Sequence, residues 1–151
     1  MPRLSQPPPG FTMVELSVII GIFILLSLIA LPYLRSSNQH TKLTGDAEAL
    51  TSDLRLAQQR TIGEQVTYLI KLFDSPPRYQ LLQRQNSTDT LVKERALSSN
   101  ISWQSLGTFT NNEIIFNTTG AVNQAGIITL VSLDNQVATV DIKPSGYVRT
   151  Y

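Results

Sequence analysis

The apolar positions of this chain fall into three regimes. From Phe11 to Leu31 they are nearly continuous, in "FTMVELSVIIGIFILLSLIAL". Between Met13 and Leu31 the only ionisable residue is Glu15, and the other interruptions are the small residues Ser17, Gly21 and Ser27. That is about the 20 residues needed to cross a bilayer core. The spacing predicts a membrane-spanning helix over about 11–31. Pro32 follows; lacking a backbone N–H, it should kink or loosen the helix. Ser17 and Gly21 form a small-xxx-small pair that permits close approach of another helix.

The second regime is amphipathic. In "HTKLTGDAEALTSDLRLAQQRTIG", Leu43, Ala47, Leu50, Leu54 and Ala57 are spaced by fours and threes, the signature of one buried helix face. Asp46, Glu48, Asp53, Arg55 and Arg60 are expected on the other faces. Gly63 is a natural stop. Gly45 is a weak point, costing about 1 kcal/mol relative to alanine. One helix from Phe11 to about Thr61 is on the order of 75 Å long. Its first part would sit in lipid and its second would pack on a domain.

From residue 64 the pattern shortens into runs of strand formers: "VTYLIKLF", "RYQLLQR", "TLVKERAL", "EIIFNT", "GIITLVSL", "QVATVDIK" and "GYVRTY". Turn signals separate them, among them "DSPP", "NSTD", "TTG", "DNQ" and "PSG". "LVSLDNQVATVDI" reads as a hairpin with Asp134 and Asn135 at its tip. The fold class is α+β: a long N-terminal helix, membrane-spanning then amphipathic, packed on a mainly antiparallel β domain. The expected divisions are 1–10, a leader; 11–63, the helix; and 64–151, the β-rich domain.

Composition narrows the function. The 151 residues carry a net charge of +1, and removing residues 1–10 removes Arg3 and leaves the charges balanced. No global field for nucleic acid follows. The absence of cysteine excludes disulfides and thiolate metal sites. His40 is the only histidine and reads as a solvated linker residue. No phosphate-binding loop, nucleophile elbow or zinc-protease motif occurs. "DNQ" reads as a hairpin turn before it reads as a calcium cluster. Trp103 and the tyrosines read as core or rim packing. No enzyme activity, cofactor or metal is expected.

The stretch "PPPGFTMVEL" poses the functional question. A secretory signal ends its apolar core with a small-residue cleavage site. Here the core is too long, and "LPYLRSSNQH" after it offers no such site. The small residue worth noticing, Gly10, precedes the core. A cut there removes the leader and keeps the helix. It also gives Phe11 a free amine, four residues from Glu15 on the same helix face. A carboxylate in a membrane segment costs a few kcal/mol unless paired. Pairing with its own amine, or a neighbouring copy's, would neutralise two charges in lipid and fix the stagger between subunits. The other reading is that Glu15 snorkels to the headgroups.

"GFTMVELSVIIGIFILLSLIALP" closely resembles the processing and assembly segment of type IV pilins and type II secretion pseudopilins. The resemblance implies cleavage between Gly10 and Phe11 by a prepilin peptidase, and N-methylation of Phe11. It also implies an assembly role for Glu15 and a helix bend at Pro32. Pro7, Pro8 and Pro9 depart from the pattern, since family leaders often carry lysine or arginine there. Further along, "IIFNTTGAV", "GIITLV" and "SGYVR" resemble the minor-pilin subgroup of pseudopilin H and the FimT-type pilins. That implies a minor structural subunit in the inner membrane, with residues 1–10 cytoplasmic and the β domain outside. Its partners would be the peptidase, other pilins or pseudopilins and the inner-membrane assembly platform. An alternative is a DNA-binding minor pilin for DNA uptake. Some FimT-type pilins bind DNA through a stretch with two arginines; here Gly146, Tyr147, Val148 and Arg149 retain one. "KPSGYVRTY" as an ordinary edge strand is the stronger reading.

Overall fold

The structure is a computed structural model that describes residues 10–151, with the side chains of residues 29–37 outside that description. The kink expected at Pro32 falls among them and lies outside the described residues. The chain divides into two compact units, Met1–Ser37 and Asn38–Tyr151. Helix α1, Met13–Glu64, contributes to both.

In the second unit α1 is followed by β1 (Thr67–Phe73), β2 (Arg78–Gln85), β3 (Thr88–Ala96), β4 (Ile101–Ser105), β5 (Glu113–Ile115), β6 (Gly126–Ser132), β7 (Val137–Ile142) and β8 (Val148–Thr150). A short 3-10 turn, Thr110–Asn112, leads into β5. The strands form two four-stranded sheets, ordered β3-β2-β1-β5 and β4-β6-β7-β8. Every pairing is antiparallel. The fold class is α+β, a long helix followed by antiparallel sheets, as the sequence predicts.

One core joins the helix to both sheets. Leu43, Ala47, Leu50, Leu54 and Ala57, the stripe read from spacing, are all 2% exposed or less. They share the core with Tyr68, Ile70 and Leu72 of β1 and with Ile128 and Leu130 of β6. At roughly 25 cal/mol per Å² of apolar area, this burial is the main force holding helix to sheets. The hairpin between β6 and β7 turns as expected, with Asn135 at φ 58 and its N–H donating to Ser132 O at 3.0 Å.

Four expectations are corrected. β4, "ISWQS", is a strand that the pattern reading missed; Ile101 and Trp103 point inward and the residues between and after them point out. The run "EIIFNT" is strand only to Ile115, followed by a single bridge between Phe116 and Val122. Asn117 ends it: its side-chain oxygen accepts from the Thr119 and Ala121 N–H groups at 3.1 and 2.9 Å, folding "NTTGA" into a tight turn. Gly63 does not stop the helix. The left-handed position falls to Gln65, φ 56, whose amide donates to Ile62 O at 2.7 Å and satisfies a terminal carbonyl.

The fourth correction concerns Asp46 and Asp53, expected on outer faces but buried at 4% and 3% exposure. Asp46 accepts from the Ser98 N–H and hydroxyl at 2.7 and 3.1 Å. Asp53 accepts from the Tyr79 hydroxyl at 2.8 Å and from Lys93 at 2.7 Å. Their donors arrive from two strands and a loop dozens of residues away, which a helical pattern cannot register.

The outward face of the first sheet carries a second polar assembly. The Arg84 guanidinium grips Asp89 of β3 with bonds of 2.6 and 2.7 Å and reaches Glu113 of β5 at 3.1 Å. Lys71 of β1 holds the other Glu113 oxygen at 2.9 Å. The network therefore ties both edges of the sheet together. Between them Leu82 and Leu69 lie in register with Leu91 and Ile115, one apolar row across all four strands.

Candidate functional site

The N-terminal segment is built for an exposed helix start. Gly10 and Phe11 precede the helix, and both are exposed. Thr12 caps it: the Glu15 N–H donates to the Thr12 hydroxyl at 3.2 Å. Glu15 reaches back in turn, accepting from the Thr12 N–H and hydroxyl at 2.9 Å each. This is a reciprocal capping box, which satisfies two of the donors every helix N-terminus leaves open. The signal was present in the sequence as T-x-x-E ahead of an apolar run. The Glu15 carboxylate is thereby held against the Thr12 N–H and hydroxyl.

Beyond the cap, the helix surface is apolar on every side. Met13, Val14, Leu16, Phe23 and Leu28 are each at least half exposed. The two hydroxyls in the segment turn inward on their own helix, Ser17 donating to Met13 O at 2.9 Å and Ser27 to Phe23 O at 2.7 Å. Such a surface carries no unsatisfied donor into an apolar medium. Among the described residues no helix is long and apolar enough to cross a membrane. The described side chains of the run end at Leu28, and its continuation through Leu31 lies outside them.

The second unit is locked where two turns meet the helix. The Gln58 side chain donates to Gly120 O at 2.7 Å and to Ser145 O at 3.3 Å. Gly120 and Gly146 both have positive φ, 86° and 81°. A Cβ on Gly146 would collide with Gly120 O and the Gln58 amide. Arg55 donates to Val148 O at 2.9 Å, and the Thr51 and Thr150 hydroxyls bond at 2.6 Å. The "TTG" and "PSG" turns are thus pinned to one helix face through Gln58, and the last strand is docked beside them.

Arg149 is exposed on β8, its guanidinium 4.7 Å from the Tyr151 ring centroid. In register opposite lies Asp141, which pairs with Lys143 at 2.8 Å. His40 is exposed, while Trp103 is buried and donates to Phe73 O at 2.9 Å. Among the described residues no group of three or more acidic, histidine or cysteine side chains is placed to hold a metal ion.

The family model for type II transport protein GspH matches residues 46–146. The chain belongs to that family. The matched segment begins at the buried Asp46 and ends at Gly146, so it spans the unit that Gln58 locks. Solved structures agree in fold. The minor pseudopilin EpsH from the type II secretion system of Vibrio cholerae superposes with a TM-score of 0.63 at 12% identity, covering 73% of this chain and 96% of that one. The type IV minor pilin FimU of Pseudomonas aeruginosa gives 0.63 at 10% identity, covering 75% and 90%. No curated protein sequence matches the chain. GspH-family proteins are structural subunits of the pilin and pseudopilin class, membrane-associated and assembled into filaments, and this chain is a subunit of a type II secretion pseudopilus or a type IV pilus.

Proposed function

We propose that this GspH-family subunit is a minor component held in the inner membrane by residues 11–31 before assembly. In this reading residues 1–10 are a cytoplasmic leader and the β-rich domain, 64–151, lies outside. A prepilin peptidase cuts between Gly10 and Phe11 and methylates the Phe11 amine. The assembly platform then draws the subunit into a filament with other pilins or pseudopilins, helices inside and β domain outside, with Pro32 bending the helix.

The observation that carries this reading is the uniformly exposed apolar surface from Met13 to Leu28, interrupted by one carboxylate, Glu15. A helix apolar all round needs lipid or other helices to cover it. Glu15 then sets the register. After cleavage its carboxylate can exchange the Thr12 cap for the Phe11 amine of its own or a neighbouring chain. A misregistered neighbour would leave the charge buried and unpaired, which selects against it.

The test is the intact mass of the protein with and without a co-expressed prepilin peptidase. Loss of residues 1–10 plus one methyl on Phe11 is expected. An uncut chain, beside a control substrate that is cut, would replace this reading with a static anchored domain. In such a domain Glu15→Val would change only membrane depth.

A second reading, DNA contact, draws on the exposed Arg149 with Tyr147 and Tyr151, 57% and 63% exposed, beside it. An arginine flanked by aromatics suits phosphate contact and base stacking. Salt-dependent retention of DNA, lost on Arg149→Ala, would support it; retention unchanged by that substitution would remove it.

A further inference from the structure

The outward face of the second sheet carries a small apolar cluster that the reading so far gives no role. Val131 of β6 lies in register with Val137 of β7, and Tyr151 exchanges both backbone bonds with Thr139, two residues along β7. The alternating residues Leu130, Ala138 and Val140 are buried in the core, so this set points outward. Leu133, at the tip of the β6–β7 hairpin, extends the cluster beside Val131. Leu133, Val137 and Tyr151 are 67%, 50% and 63% exposed. Exposed apolar side chains that adjoin one another, unlike scattered ones, ask for a covering partner.

Local contacts place the cluster at one end of the β domain. Val137 and Tyr151 line a shallow groove with His40, Leu43 and Thr44, which lie in the first turns of α1 within the second unit. The Leu133 N–H donates to Asn100 O at 3.2 Å, and the adjacent Ser99 hydroxyl accepts from Lys42 at 3.1 Å. This is the end at which the chain enters the domain. The turn that holds Gly120 lies at the other end, against Ile62.

Chain connectivity names the partner. Leu31, the last residue of the apolar run, is nine residues before His40. Fully extended, that stretch reaches about 32 Å, so with residues 11–31 in a bilayer this end stays within that distance of the hydrocarbon core however the two units are oriented. Such a tether makes even a weak surface contact intramolecular, at an effective concentration on the order of millimolar. The shape also suits a soft interface. The tip protrudes, since Asn135 turns the chain back at φ 58, and a protruding leucine enters lipid rather than receiving a ligand. Tyr151 has the apolar ring and polar end that favour headgroup depth, and the exposed Lys42 stem can snorkel beside it. Lys42 and Arg149 are balanced locally by Asp134 and Glu48, so the attraction is apolar and a zwitterionic bilayer suffices.

We propose that Leu133, Val137 and Tyr151 dock the β domain on the bilayer that holds its own helix, entering the boundary between headgroups and acyl chains before assembly. The proposal rests on the membrane reading of residues 11–31.

The experiment uses the full chain in phosphatidylcholine nanodiscs, one chain per disc, with part of the lipid carrying a nitroxide near the head of one acyl chain. The chain has no cysteine, so a fluorophore can be placed at a single Asp134→Cys, Thr118→Cys or Phe23→Cys site. Quenching at residue 134 is expected to be at least twofold greater than at residue 118, in the turn at the other end. It should fall to the residue 118 level when Leu133→Ser and Val137→Ser, both at exposed sites, are added. Equal quenching at 134 and 118, or quenching at 134 that survives the two serines, would overturn the proposal. A probe quenched at residue 23 but not at 134 would overturn this docking alone. A probe unquenched at 23 would overturn the membrane reading and the docking together.

Discussion

Asp53 and Tyr79 meet inside the protein, the phenol donating to one carboxylate oxygen at 2.8 Å while Lys93 reaches the other at 2.7 Å. Burial, then the bond to Asp53, pushes the Tyr79 hydroxyl far above its usual range, so it remains a donor at every working pH. The arrangement clamps strands β2 and β3 onto α1. β3 is exposed along its whole length, so the clamp adds a tie to the helix beside its ladder with β2, and the Asp46–Ser98 bonds hold the loop that follows. Asp53→Ala strands two donors, one of them charged but half exposed. A loss of about 2–3 kcal/mol in urea unfolding is expected. Tyr79→Phe should cost about 1–2 kcal/mol, because Lys93 still covers the carboxylate.

Three glycines should respond with different signs. Gly45 sits in the helix interior with nothing within 4 Å of an added Cβ, so Gly45→Ala should stabilise by about 1 kcal/mol. Gly120 has φ +86° and would meet the movable end of Ile62 at 2.7 Å, so Gly120→Ala should cost about 1–2 kcal/mol. Gly146 combines positive φ with a collision against backbone, and Gly146→Ala should cost about 3 kcal/mol or more. Thermal midpoints of the three variants would check the order.

Acid should loosen the first sheet. Hydrogen bonds from Arg84 hold the Asp89 carboxyl below its usual range. Burial pushes Glu113 up, but bonds from Lys71 and Arg84 outweigh it and leave it lowered. Carboxyls lowered by folding contribute stability that is present above their unfolded values, about 4, and lost as pH falls through the folded ones. Urea midpoints should therefore fall between about pH 5 and pH 3. Glu113→Gln should start from a lower midpoint at pH 7 and show a shallower fall. An equally steep fall in that variant would remove Glu113 from the account.

The Thr12–Glu15 cap should be measurable before any assembly. Thr12→Val removes the hydroxyl that caps the Glu15 N–H and leaves the apolar surface intact. Helix capping losses run to about 1 kcal/mol, so amide exchange at Glu15 and Leu16 in micelles should speed up about fivefold. Unchanged exchange would mean that lipid, not the cap, secures the helix start.

The sequence by itself determined the long apolar run, the buried stripe from Leu43 to Ala57 and the β-rich remainder. Each of these is a periodicity, set by which residues must leave water, and periodicity is local. The processing and assembly roles proposed for Gly10, Phe11, Glu15 and Pro32 also rest on spacing along one segment. The tertiary structure alone decided where the polar groups went. Asp46 and Asp53 read as solvent-facing until Ser98, Tyr79 and Lys93 arrive from β2, β3 and the loop after β3. Gln58 looks like any surface glutamine until two turns bring Gly120 and Ser145, 62 and 87 residues onward, to it. A hydrogen bond depends on position within a few tenths of an ångström, and for residues far apart in the chain only the folded core fixes that.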